Sequence, residues 1–186
     1  MRIIGGKWKR RKLEQIELLG RHGSLRPTSD RVRENIFNLL ENSLSKDLVN
    51  KATVLDIFSG TGALGLEALS RGATTAVFVE NDKISINILK KNIISLDASK
   101  YTQVITQDVT NIQIKFDNFF NLVFLDPPYG QRLGEKAMAS IISNNYLSKG
   151  AIVVWEENLP IILPRALDCL DERHYGQTLV YFLRVK

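Results

Sequence analysis

Between residues 53 and 155, short apolar runs with the residue mix of buried strands alternate with segments of helical periodicity, and that alternation leaves few folds open. Strand patterns cover residues 53–58, 75–79, 101–106, 121–125 and 151–155. Helical patterns cover 63–70, closed by Gly72, then 83–96, where Ile86, Leu89, Ile93 and Leu96 share a face, and 132–142. Continuous apolar strands separated by helices have both faces covered, so an α/β doubly wound parallel sheet is expected. Segments 167–174 and 178–185, joined around Gly176, read as a closing hairpin, and 115–120 reads as loop. A chain of 186 residues with 44% apolar content can bury one sizeable core. Apolar runs such as 122–125 and 151–155 fall far short of the roughly 20 residues of a membrane-spanning helix. The basic N-terminus is followed by no apolar run of signal-peptide length, so a cytoplasmic location is expected. The single cysteine, Cys169, cannot form an internal disulfide and is expected as a small buried hydrophobe. The histidines are only His22 and His174, so no metal site is expected.

The charge is unevenly placed. Lys and Arg total 25 against 20 Asp and Glu, and the whole excess lies in residues 1–33. Lys7, Lys9, Arg10, Arg11, Lys12, Arg21, Arg26, Arg31 and Arg33 face only Glu14, Glu17 and Asp30 there. Such a block is the electrostatic footprint of a phosphate-backbone contact, with Trp8 as a stacking surface. The alternative is a solvated arm that aids solubility. Strand-like patterns at 2–4 and 12–18 around Gly5-Gly6 argue for more than a tail, as does a helix of about 14 residues beginning after Pro27-Thr28-Ser29-Asp30. Residues 1–50 are thus expected as a basic extension and 51–186 as the catalytic domain.

In a doubly wound sheet, ligands sit at the carboxyl ends of the strands. The first strand pattern ends in Asp56-Ile57-Phe58-Ser59-Gly60-Thr61-Gly62-Ala63-Leu64-Gly65, a G-x-G-x-x-G between strand and helix. Glu80, twenty residues after Gly60, would suit a ribose in a dinucleotide or in S-adenosylmethionine equally well. Two features favour the second. Asp56 would repel a pyrophosphate but could meet an ammonium, directly or through water, the lesser alternative being a cap on the following turn. Asp108, after the third strand, is placed for an adenine amino group, or simply starts a loop.

The fourth strand pattern ends in Asp126-Pro127-Pro128-Tyr129-Gly130. An acid or amide followed by two prolines and an aromatic should occur by chance in about one chain of this size in several hundred. The prolines fix φ and remove two donors, leaving carbonyls on a rigid turn. A carboxylate, a proline carbonyl and an aromatic face suit a planar exocyclic amine. The oxygens accept its two N–H groups, pulling the nitrogen towards sp³ geometry and aiming its lone pair, while Tyr129 stacks on the ring. What remains is alignment and desolvation.

These strings resemble the class I S-adenosylmethionine-dependent amino-methyltransferases. Met1-Arg-Ile-Ile-Gly-Gly6, Leu25-Arg-Pro-Thr-Ser-Asp-Arg-Val-Arg-Glu-Asn-Ile-Phe37, Phe58-Ser-Gly-Thr-Gly-Ala-Leu-Gly-Leu-Glu67 and Asp126-Pro-Pro-Tyr129 resemble, more narrowly, the RsmD-type bacterial enzymes that methylate a guanine N2 of 16S ribosomal RNA. The resemblance implies a Rossmann-like sheet of seven strands with the last antiparallel, S-adenosylmethionine as cofactor, and a small-subunit (30S) assembly particle as substrate, with the enzyme a monomer. It implies cofactor contacts from Asp56, Phe58, Gly60, Gly62, Glu80, Asn81, Asp108 and Val109. Asp126, Pro127, Pro128 and Tyr129 would act on the amine. RNA would be held by Lys9, Arg10, Arg11, Arg26, Thr28, Arg31 and Arg33. Adenine N6 in DNA, a protein amide, or a non-enzymatic RNA-binding role are the competing readings.

Overall fold

A computed structural model describes residues 1–15, 29–44, 47–111 and 119–186. Seven strands form one sheet in the order β3-β2-β1-β4-β5-β7-β6: β1 Thr53–Ile57, β2 Thr75–Glu80, β3 Thr102–Thr106, β4 Phe120–Leu125, β5 Leu147–Glu157, β6 Leu167–Tyr175 and β7 Thr178–Val185. Strands β1 to β5 pair in parallel, and β7 runs antiparallel between β5 and β6. The helices are α1 Asp30–Leu39, α2 Ala63–Ser70, α3 Lys83–Ser95 and α4 Leu133–Ser143. Alternate strand residues feed two apolar clusters. One joins Val54, Phe78, Phe124 and Val154 to α1, α2 and α3; the other joins Leu55, Val79, Leu125 and Trp155 to α4. The α/β doubly wound expectation holds, with element bounds close to those read from periodicity.

Several local expectations need correction. The paired strands at the N-terminus reduce, among the described residues, to a single bridge between Arg2 and Lys12 around a 3-10 turn at Gly6–Trp8. Residues 16–18 of the second strand pattern lie outside the described residues, as do 19–28 and 112–118. Phe120 begins β4 instead of ending a loop, because its side chain is buried against α4. The helix α1 is ten residues long and loosens into a π-helical turn at Leu40–Leu44. Strand β5 is longer than its apolar run, since pairing with β4 and β7 carries it through Glu157. Cys169 is exposed: it stands on the edge strand β6, beyond the reach of either cluster.

The N-terminal segment is bolted to α2. Glu67 is fully buried, and its carboxylate accepts from the Ile4 and Gly5 amides and from Arg71 Nε at 2.7 to 2.8 Å. Arg33, also fully buried, brings its Nε to 3.8 Å from the same carboxylate and donates through Nη2 to the Arg2 carbonyl and Asp30. Ser70 Oγ accepts from the Trp8 amide and donates to the Gly5 carbonyl. The backbone passes so close that a Cβ on Gly6 would overlap the Ser70 carbonyl, and Gly6 sits at φ +72°. This contact explains the Gly5-Gly6 string better than a hairpin turn does.

Candidate active site

In a sheet of this kind the ligand crevice lies at the carboxyl ends of the strands, here those of the adjacent β1 and β4. Phe58 takes φ +56° immediately after β1, a left-handed conformation uncommon outside glycine. Gly60 and Gly62 follow at φ +53° and +83°, so the chain doubles back before α2. Three braces hold this loop. Glu80 Oε2 accepts from the Gly60 amide at 2.8 Å, while its Oε1 accepts from the Asn81 and Asp82 amides. Asp56 Oδ2 accepts from the Gly65 amide at 2.8 Å, satisfying one of the donors that a helix start leaves open. The carboxamide of Asn92 on α3 donates to the Thr61 carbonyl.

Asp56 is only 2% exposed, and desolvation pushes its carboxyl well above the usual range, with Asp126 and Glu80 adding to the rise. Its observed work is therefore to hold the loop from behind. Gly65 has a packing role in the same place. A Cβ there would stand 2.5 Å from the Phe78 ring and 2.9 Å from Asp56, so α2 could not approach the sheet.

The residues fit an adenosine-bearing group. A Cβ added at Gly60 would point into open space, meeting only the Phe58 carbonyl at 4.0 Å, and the buried Ser59 Oγ has no hydrogen-bond partner among the described residues. Glu80 Oε2 keeps a lone pair beyond the one that the Gly60 amide uses, whereas Oε1 is filled by the Asn81 and Asp82 amides. Asp108 is exposed at the end of β3, where its Oδ1 accepts from the amide and hydroxyl of Thr110. Those bonds lower its pKa, keeping it ionised and ready to accept from an amino group. Val109 is buried and Asn81 exposed beside Glu80. Glu80→Ala would strip the loop of its brace and the crevice of an acceptor. The expected result is a Kd for S-adenosylmethionine raised about tenfold or more by calorimetry, in line with losing a hydrogen bond to a charged group at ~1.5–3 kcal/mol; an unchanged Kd would contradict it.

Asp126 extends β4 by one residue beyond the Ile57–Leu125–Trp155 register, and its amide approaches the Ile57 carbonyl at 3.4 Å. Pro127 is buried, while Asp126, Pro128 and Tyr129 remain partly exposed. The Tyr129 hydroxyl meets Thr178 Oγ1 of β7 at 3.3 Å, and the Gly130 amide donates towards Glu157 Oε1 at 3.4 Å. Burial, reinforced by the charge of Asp126, pushes the Tyr129 phenol up to about 12, so it stays neutral at ordinary pH. The site thus draws on Thr178 and on the buried pair Glu156 and Glu157, none of which the strand-end reading named. Two acids closing the apolar run of β5 were the available signal.

The basic residues separate. Lys9, Arg10 and Arg31 are exposed, and Arg11, also exposed, donates to the Ser95 carbonyl at the end of α3. Arg33 cannot meet RNA, because its guanidinium is fully buried in the Glu67 lock. Arg26 and Thr28 lie outside the described residues.

The family model described as conserved hypothetical protein 95 matches residues 1–184. Ribosomal RNA small subunit methyltransferase D of Haemophilus influenzae is 38% identical over 181 residues, covering 95% of this chain and 89% of that protein. The Escherichia coli protein of the same name is 37% identical, covering 88% and 78%. The solved structure of Escherichia coli yhhF superposes with a TM-score of 0.84 at 34% identity, covering 100% of this chain and 98% of that one. With a crevice of this construction on a sheet of this order, the chain belongs to the conserved hypothetical protein 95 family, the family of the ribosomal RNA small subunit methyltransferases D.

Proposed function

We propose that this protein transfers the methyl group of S-adenosylmethionine to the exocyclic N2 of a guanine in 16S ribosomal RNA, within a small-subunit assembly particle. The observation that supports it most is the Asp126 to Tyr129 turn, set one residue past the sheet and beside the glycine loop. When bound, the cofactor supplies an electrophilic methyl on a cationic sulfur. The chain's own residues supply the rest. Asp126 and a proline carbonyl accept the two N–H groups of the amine, Tyr129 stacks on the base, and the neutral phenol is held by Thr178. A base buried in a helix cannot reach this crevice, so the target must be extruded or already unpaired. Acceptors for two N–H groups suit adenine N6 as well as guanine N2; the names of the relatives favour ribosomal RNA. The exposed charges of Lys9, Arg10, Arg11 and Arg31 supply phosphate contacts.

Labelled S-adenosylmethionine offered with small-subunit particles lacking the modification, with naked 16S RNA and with duplex DNA tests the substrate class. Label entering the particles is expected. Label on the DNA alone would overturn the reading.

A further inference from the structure

Asn92 has an environment that a helix residue on an outer layer does not need. It lies on α3, is 1% exposed, and uses every hydrogen of its carboxamide. Nδ2 donates to the Thr61 carbonyl at 3.0 Å and to the Glu14 carbonyl at 3.2 Å, and Oδ1 accepts from the Glu14 amide at 2.7 Å. Thr61 stands between the two glycines of the loop, before the N-cap Gly62, so its carbonyl lies outside the hydrogen-bond ladder of α2. Glu14 belongs to the basic arm. The arm is held along α3 at further points, by Arg11 to the Ser95 carbonyl and by a Glu14–Lys91 ion pair at 3.3 Å. The two bonds to the Glu14 backbone imitate a strand partner and fix the arm's register, and a slip there would pull the same amide away from Thr61.

We propose that Asn92 is a positioning residue that ties cofactor affinity to RNA engagement, because one buried carboxamide joins the glycine loop at Thr61 to the basic arm at Glu14. The inference rests on the proposed RNA substrate. Phosphates held by Lys9 and Arg10 would favour the arm position in which Asn92 bonds the loop, so RNA tightens cofactor binding and, by linkage, cofactor tightens RNA binding. A purely structural amide would affect melting without connecting the two ligands.

Calorimetry of S-adenosylhomocysteine binding, with and without saturating small-subunit particles lacking the modification, tests this, with co-sedimentation of protein and particles read separately. The unmodified protein should bind S-adenosylhomocysteine at least about fivefold more tightly with the particles present, the lower end of usual couplings. Asn92→Ala should weaken binding of the free protein about tenfold and bring the particles' effect to none. Asn92→Asp keeps an acceptor for the Glu14 amide but offers Thr61 no donor; it should lose the cofactor affinity in the same way, and it carries the test if the alanine variant does not fold. Tightening by the particles that survives in both variants, or particles that bind the unmodified protein without changing its cofactor affinity, would overturn the inference alone. No co-sedimentation of the unmodified protein with the particles would instead overturn the proposed function together with the coupling.

Discussion

Asp126→Ala lowers methyl transfer by roughly 10²–10³-fold, the loss expected when one preorganised hydrogen-bonding group is removed from a reacting centre, while the Kd for S-adenosylmethionine stays within about threefold. The separation follows from position. The glycine loop is braced by Glu80, Asp56 and Asn92, whereas Asp126 stands one residue past β4. An amine conjugated to a nucleobase ring is a weak nucleophile, and an acceptor on its N–H localises the lone pair for in-line attack. Asp126→Asn retains a carbonyl acceptor at the same place and should keep much more of the rate. Single-turnover assays with calorimetry on the same preparations read both quantities. Equal losses of binding and rate in the alanine variant would remove Asp126 from its role.

The second large effect concerns folding. Glu67→Ala takes away the acceptor of the Ile4 and Gly5 amides and of Arg71, and leaves Arg33 as a fully buried charge opposite no carboxylate on α2. Breaking a buried pair from one side costs about 3–5 kcal/mol, which at ~2–4 °C per kcal/mol for a chain of this size lowers Tm by roughly 6–20 °C. Glu67→Gln keeps the shape but must present an amide hydrogen where an oxygen accepts, so it recovers only part of the loss. Thermal unfolding followed by circular dichroism decides it. A drop of under about 1 kcal/mol, the scale of an exposed ion pair, would show that the lock contributes little.

Much of this was legible in the residues because it depends on local pattern. Apolar runs of five or six residues between helical periods gave the parallel sheet, and Gly60, Gly62 and Asp126-Pro127-Pro128-Tyr129 fall at strand ends, as their spacing predicts. What escaped depends on contacts distant in sequence. Arg33 lies in a basic stretch and reads as a phosphate contact, yet its partner Glu67 sits on a helix whose other residues give no hint of it. Gly5-Gly6 reads as a turn because glycine is ambiguous between bending and close approach. Only the Ser70 carbonyl decides for the second. The spacing of Asp56 leaves a cation partner and a turn cap both open, and only the fold shows one of its oxygens on the Gly65 amide and the carboxylate out of water. The shortened N-terminal strands have the same cause, since Ile4 and Gly5 spend their amides on Glu67 rather than on a strand neighbour.

The chemistry at Asp126 is decided by the identity of the methylated nucleoside. Particles labelled by the purified protein are digested to nucleosides and resolved by mass analysis against authentic standards. N2-methylguanosine carrying the label is the expected product, and label in N6-methyladenosine, with none in guanosine, would contradict the assignment of the amine.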